Sequence, residues 1–192
     1  MIQLIANYRL KKYLKNRQYD RAIELLTPKA RAGDAQAAYQ MGLIYSDPQN
    51  NLDEDSFLTE KWLSRAAENN HVEAQILLGD FYSMDAERVD RLHRAFDCYS
   101  DARRNGSVTA ARKLARLYLK HQDVIDININ ATGLLIEAAE NGDYKATVLL
   151  AWGYKKGNLG LPFDFYRFQY WWSKLKKLTK QRDNRHSLFA VI

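Results

Sequence analysis

The 192-residue chain offers four histidines and one cysteine as its natural candidates for metal or nucleophilic chemistry. A structural zinc site needs Cys and His in pairs at short fixed spacings. His71, His93, His121 and His186 form no His-x-x-x-His pair, and Cys98 has no Cys-x-x-Cys partner. No Gly-rich phosphate loop and no nucleophile-elbow sequence is present. Asp53, Glu54 and Asp55 are adjacent, yet they lead into a helical segment, where carboxylates offset the positive end of the helix dipole. That role outweighs acid–base catalysis, and a lone Cys in an apolar helix is a small hydrophobe before it is a nucleophile. The sequence therefore predicts no enzyme, no metal site and no cofactor.

Recognition chemistry remains. Arg112, Arg116, Lys145 and Lys155 surround Trp152 in the sequence. Whether they act together depends on the elements that carry them.

Those elements repeat. The runs GDAQAAYQMGLIY (33–45), NHVEAQILLGDFY (70–82), GSVTAARKLARLY (106–118) and GDYKATVLLAWGY (142–154) follow one another at offsets of 37, 36 and 36 residues. Four columns hold through all of them. Ala37, Ala74, Ala110 and Ala146 form the first, and Gly42, Gly79, Ala115 and Ala151 a second that admits nothing larger than a methyl group. Met41, Leu78, Leu114 and Leu150 are always large and apolar, and Tyr45, Tyr82, Tyr118 and Tyr154 are always tyrosine. Spacings of three, four and five residues describe one face of a helix, here the A helix of each repeat.

A second, B helix ends each unit: EKWLSRAAENN (60–70), FDCYSDARRNG (96–106) and GLLIEAAENG (133–142). Each closes on Asn or Gly as a C-terminal stop signal. The B helices have small columns of their own, Thr59, Ala95 and Ala131, then Ala66, Ala102 and Ala138, which let helices approach to about 8 Å. A hairpin of this kind cannot bury its apolar face alone, so the period predicts an all-α stack of hairpins.

The pattern Ala-x-x-x-Leu-Gly-x-x-Tyr, a polar loop, then Trp-x-x-x-Ala-Ala-x-x-Gly/Asn resembles the Sel-one-like repeat (SLR) family, a relative of the tetratricopeptide repeats. The match is strongest from Ala37 to Asn70 and extends over 19–156. Later repeats depart from it, with Ala115 and Ala151 in place of glycine and Cys98 where Trp62 stands. The resemblance implies a right-handed α-solenoid of about four repeats of 36–37 residues plus capping helices. The expected organisation is a single domain over 1–192, with a capping hairpin (1–32), repeats at 33–70, 71–105, 106–141 and 142–180, and a tail (181–192) that is loose or a short apolar hook. The disulfide-pinned secreted subclass is excluded by the single cysteine.

By analogy with the tetratricopeptide arrangement, the A helices line a concave groove. The expected partner-binding residues are Tyr39 and Leu43 in the first repeat and Glu73, Ile76 and Asp80 in the second. The third and fourth supply Arg112 and Arg116, then Lys145, Val148, Trp152 and Lys155. The second half of the groove then groups four cations around an aromatic, which suits a partner with an acidic stretch.

Charge is concentrated at the ends. Residues 1–18 hold Arg9, Lys11, Lys12, Lys15 and Arg17 with no acid, and 171–192 hold Lys174, Lys176, Lys177, Lys180, Arg182 and Arg185 against Asp183, while the repeats between are net acidic. A nucleic-acid binder would carry its basic stripe along a working face, so these ends read as solvated caps and no nucleic-acid partner is expected. Residues 161–178, LPFDFYRFQYWWSKLKKL, put Phe168 and Leu175 in the small B-helix columns when Trp171 is aligned with Trp62. A further hairpin could not approach such a surface, so the segment is expected to end the array as an aromatic core seal, or else to expose an aromatic partner site. No apolar run is long enough to span a membrane, and the N-terminal residues lack the pattern of a secretory signal. A cytoplasmic location is expected, a periplasmic one being compatible with an export signal removed from the chain as given. The functional expectation is a protein or peptide partner, bound by an adaptor or scaffold, or alternatively by an immunity protein that clamps a secreted toxin or effector.

Overall fold

The structure, a computed structural model, describes residues 2–47, 56–85, 87–121 and 130–189, with side chains from residue 8 to residue 181 of these. The Asp53–Asp55 carboxylates, the Arg182, Arg185 and His186 side chains and residues 190–192 lie outside them. The described residues form ten helices and no strand. In chain order these are α1 (Ile2–Lys15), α2 (Tyr19–Arg31), α3 (Ala35–Ser46), α4 (Ser56–Glu68), α5 (Val72–Ser83), α6 (Val89–Arg104), α7 (Val108–His121), α8 (Ala131–Glu140), α9 (Tyr144–Lys156) and α10 (Phe165–Phe189). The A helices of the sequence repeat are α3, α5, α7 and α9, so the all-α hairpin expectation holds element by element. The tail differs: α10 continues as helix through Phe189, where a loose end or a hook was expected from residue 181. No Gly or Pro interrupts the stretch, so nothing stops the helix there.

The chain divides into two compact units at Asn105/Gly106, a repeat boundary. In the first unit each helix from α1 to α6 packs on its chain neighbour, and in the second α7 packs on α8, α8 on α9, and α9 on α10. The columns are the core. Ala74, Ala110 and Ala146 are wholly buried, as are Ala66, Ala102 and Ala138 of the B helices. The glycines mark the tightest helix contacts: a Cβ at Gly79 would stand 2.5 Å from the Tyr99 ring, and one at Gly42 would collide with the Leu63 side chain.

The B-to-A turns are built alike. Gly33, Asn70, Gly106 and Gly142 all have positive φ, the left-handed conformation in which Gly and Asn end helices. In three of these turns the N–H groups close a Schellman pair: Gly33 to Ala30 O and Asp34 to Lys29 O, Asn70 to Ala67 O and His71 to Ala66 O, Gly142 to Ala139 O and Asp143 to Ala138 O. The residue that completes the closure then caps the next helix. Asp34, His71 and Asp143 accept from the N–H of Ala37, Ala74 and Ala146, and Ser107 does the same for Ala110. The conserved spacing of the alanine column is thus also the spacing from cap to third helical residue. Cap types Asp, His, Ser and Asp share only a short side-chain acceptor, so residue identity alone hides them.

Candidate functional site

In the first unit the residues expected along the groove fare differently. Leu43 and Glu73 are exposed. Tyr39 is half-buried, its ring stacked on His71 at 4.4 Å between centroids. His71 in turn meets Gln36 Oε1 through Nε2 at 3.1 Å and caps α5 through Nδ1. Ile76 is half-buried. Asp80 accepts a 2.6 Å hydrogen bond from the Tyr99 hydroxyl of α6, so it is a packing acceptor and not an open groove carboxylate. Burial, together with that carboxylate bond, pushes the Tyr99 hydroxyl far up from its ordinary range.

In the second unit one expectation is corrected. Arg112 is only 6% exposed, and its Nε lies 3.0 and 2.9 Å from the two carboxylate oxygens of Asp143. Asp143 is itself the cap of α9, bonding Ala146 N at 2.8 Å. A guanidinium in this setting is spent on holding α7 to the start of α9, and it is not available to a groove partner. The same column in the first unit behaves alike, since Tyr39 stands two residues after Ala37 as Arg112 stands two after Ala110, and each reaches the cap of the next A helix. Sequence reasoning missed this role because the partner is supplied about thirty residues later by a residue that already has a local job.

Arg116, Lys145, Trp152 and Lys155 remain on the surface, with Val148 half-buried. Trp152 is 41% exposed. Lys155, one turn on, holds its ammonium 4.7 Å from the Trp152 ring centre and 5.5 Å from that of Phe168 on α10. Trp152 is therefore neither core nor isolated.

It begins a continuous chain of rings. Trp152 meets Trp172 edge-on at 6.4 Å, Trp172 meets Phe168 at 5.9 Å, Phe168 meets Phe165 at 6.3 Å, and Phe165 meets Tyr166 at 6.4 Å. The expected aromatic seal exists, but Trp171, Leu175 and Leu161 make it, buried against α9. Leu161 fits because Gly153 has no Cβ, which would lie 2.5 Å from its Cδ1. Phe165 and Tyr166 instead stand 52% and 83% exposed, and Phe163 and Tyr170 are exposed beside them. α10 is thus two-faced: one side closes the hairpin core, and the other carries aromatic surface outward.

A third motif repeats across the units. Arg94 lies over the Tyr82 ring and donates to both Tyr82 Oη and Glu60, and Arg167 lies over Tyr154 and donates to its hydroxyl at 3.0 Å. Two tyrosines of the column, Tyr82 and Tyr154, are thus each held by an arginine of the following helix. Cys98 is half-buried, and burial, then the neighbouring Asp101 and Asp97, push its thiol up to about 12, which leaves it unreactive near neutrality. Among the described residues no cluster of His, Cys, Asp and Glu could hold a metal ion, and no helix is long and apolar enough to cross a membrane.

Helical hairpins stacked through small-residue columns define a helical-repeat protein. Compared with solved structures, this chain has the SLR fold. A Sel1 repeat protein from Oxalobacter formigenes matches 82% of this chain and 64% of its own length at 25% identity, with a TM-score of 0.64. A protective antigen of uropathogenic Escherichia coli displaying an SLR fold matches 81% of this chain and 33% of its own at 20% identity, with a TM-score of 0.68. An immunity protein from Pseudomonas aeruginosa matches 89% of this chain and 82% of its own at 16% identity, with a TM-score of 0.51. The chain therefore spans less than two thirds of the length of the first two. No family model matches the sequence.

Proposed function

We propose that the chain is a non-enzymatic protein-interaction module, an adaptor or scaffold that binds a segment of another protein along the outward side of its A helices. The observation that carries this reading is the exposed Trp152 with Lys155 stacked upon it, a ready aromatic anchor on a rigid helical hairpin. Arg116, Lys145 and Val148 share its unit as contact residues, and Leu43, Glu73 and Ile76 serve the first unit. Arg112 and Asp80 are left out because their bonds are already made. The partner is a protein and not a nucleic acid, met in the cytoplasm.

Capture from the source cells tests this. Trp152→Ala should weaken partner binding by roughly 2 kcal/mol or more, with a smaller loss of thermal stability because the residue is 41% exposed and lies outside the buried core. A clear loss of stability with partner capture intact would discard the Trp152 anchor.

A second reading is favoured by the likeness to the Pseudomonas aeruginosa immunity protein. Here the bound segment belongs to a secreted toxin, which the module neutralises. A toxin encoded beside this gene whose activity is blocked by the purified chain would establish it, and an unaffected neighbour would return the adaptor reading.

A further inference from the structure

We infer that the α9–α10 face of the second unit is a docking surface for an acidic protein segment whose carboxylates alternate with apolar side chains. The inference rests on the reading of the chain as a protein-interaction module and assigns that module its surface and the chemistry of its occupant. Aromatic surface left open in this quantity marks an interaction site more often than a solvent face. The ring chain from Trp152 to Tyr166 supplies it, crossing from one helix to the other.

Charge selects the occupant. Lys155 lies in the notch between Trp152 and Phe168, and Lys176 lies 5.9 Å from the Trp172 ring centre. Each lysine follows its tryptophan by about one helical turn, so apolar and cationic points alternate across the face. Among the described residues no carboxylate pairs with Lys155 or Lys176. The sequence of α9 contains no acid and that of α10 only Asp183. An incoming carboxylate meets an ammonium held beside the rings, where it forms a charge-assisted bond while its apolar neighbours cover the aromatic surface. A basic segment is repelled.

Two other basic-and-aromatic binding modes fit less well. Single-stranded nucleic acid stacks successive bases on a run of open ring faces, but Lys155 lies over Trp152 and Phe168 and interrupts that run in the middle of the face. A bilayer taking up Trp152 and Phe168 would also take up the Lys155 ammonium between them without a counter-ion.

The test uses the full chain and fluorescence anisotropy with a labelled peptide of alternating leucine and glutamate, beside the same peptide with glutamine for glutamate. The glutamate peptide should bind about tenfold more tightly or better, and Lys155→Glu/Lys176→Glu should abolish that preference. Phe165→Ser/Tyr166→Ser should weaken both peptides, and circular dichroism should be unchanged because all four side chains are on the surface. No preference for the glutamate peptide, or a preference that survives the double charge reversal, overturns the inference. So does tighter binding to phosphatidylserine vesicles, to a polythymidine strand or to a second copy of the chain in sedimentation. Capture of the natural partner at full strength by the Lys155→Glu/Lys176→Glu variant would remove this surface and leave the interaction module standing. Absence of any protein partner for the wild-type chain would remove the module itself.

Discussion

The contrast between Asp143 and Asp34 isolates the Arg112 ion pair. Both carboxylates cap an A helix in the same way, at 2.8 Å to Ala146 N and 3.0 Å to Ala37 N. Replacing either with alanine removes a cap worth about 1 kcal/mol. Asp143→Ala does more, because it strands a guanidinium whose side chain is 7% exposed, opposite a carboxylate 8% exposed. Breaking a buried pair from one side costs about 3–5 kcal/mol, so Asp143→Ala should destabilise by about 4 kcal/mol or more and Asp34→Ala by about 1 kcal/mol. Arg112→Met/Asp143→Ser should recover much of the loss, since the stranded charge is gone and serine still caps. Urea unfolding followed by circular dichroism measures all three. Equal losses for Asp34→Ala and Asp143→Ala would refute the reasoning and return Arg112 to the groove.

Three further outcomes follow from the packing and the titrating groups. Gly79→Ala and Gly42→Ala should each cost about 1–3 kcal/mol, because an added Cβ meets the buried Tyr99 ring at one and the wholly buried Leu63 side chain at the other; unchanged unfolding midpoints would contradict this. Ala74→Leu and Ala110→Leu should each overpack a wholly buried site by about 1–3 kcal/mol, and unchanged urea midpoints in both would mean the repeat register is wrong. Cys98 has its thiol raised from 9.0 to about 12, so the native state holds that proton more tightly than the unfolded one. Its contribution to stability is fully present below pH 9 and is lost as pH rises from 9 towards 12. Cys98→Ala should flatten part of the alkaline fall in thermal midpoint, and an identical fall in the variant would show the thiol to be exposed.

The repeat architecture was legible because packing constrains residue size at fixed intervals. Only small residues fit at Gly42, Gly79, Ala115 and Ala151, and only a residue tolerant of positive φ fits at Gly33, Asn70, Gly106 and Gly142. Properties set by a partner far along the chain were not legible. Arg112 looks like any helical surface cation until Asp143 is placed beside it, and Asp80 looks like a groove acid until the Tyr99 hydroxyl reaches it. The aromatic segment was recognisable as unusual, but composition could not divide Trp171 and Leu175, which seal, from Phe165 and Tyr166, which do not. That division depends on which side of α10 meets α9.

The B-to-A turns also decide where such a chain can change length. Each of the four leaves three residues between helices: 32–34, 69–71, 105–107 and 141–143. From A helix to B helix the separation is uneven: α6 begins six residues after the end of α5, while α4 and α8 begin ten residues after the ends of α3 and α7. One residue inserted at His71 would separate the group that finishes α4 from the group that starts α5, and neither helix end would keep its partner. Insertions, grafted loops and epitope tags therefore belong on the opposite edge of each hairpin, where spacing already drifts from copy to copy. Duplications that lengthen an array without disturbing it would join at Asp34, His71 or Asp143.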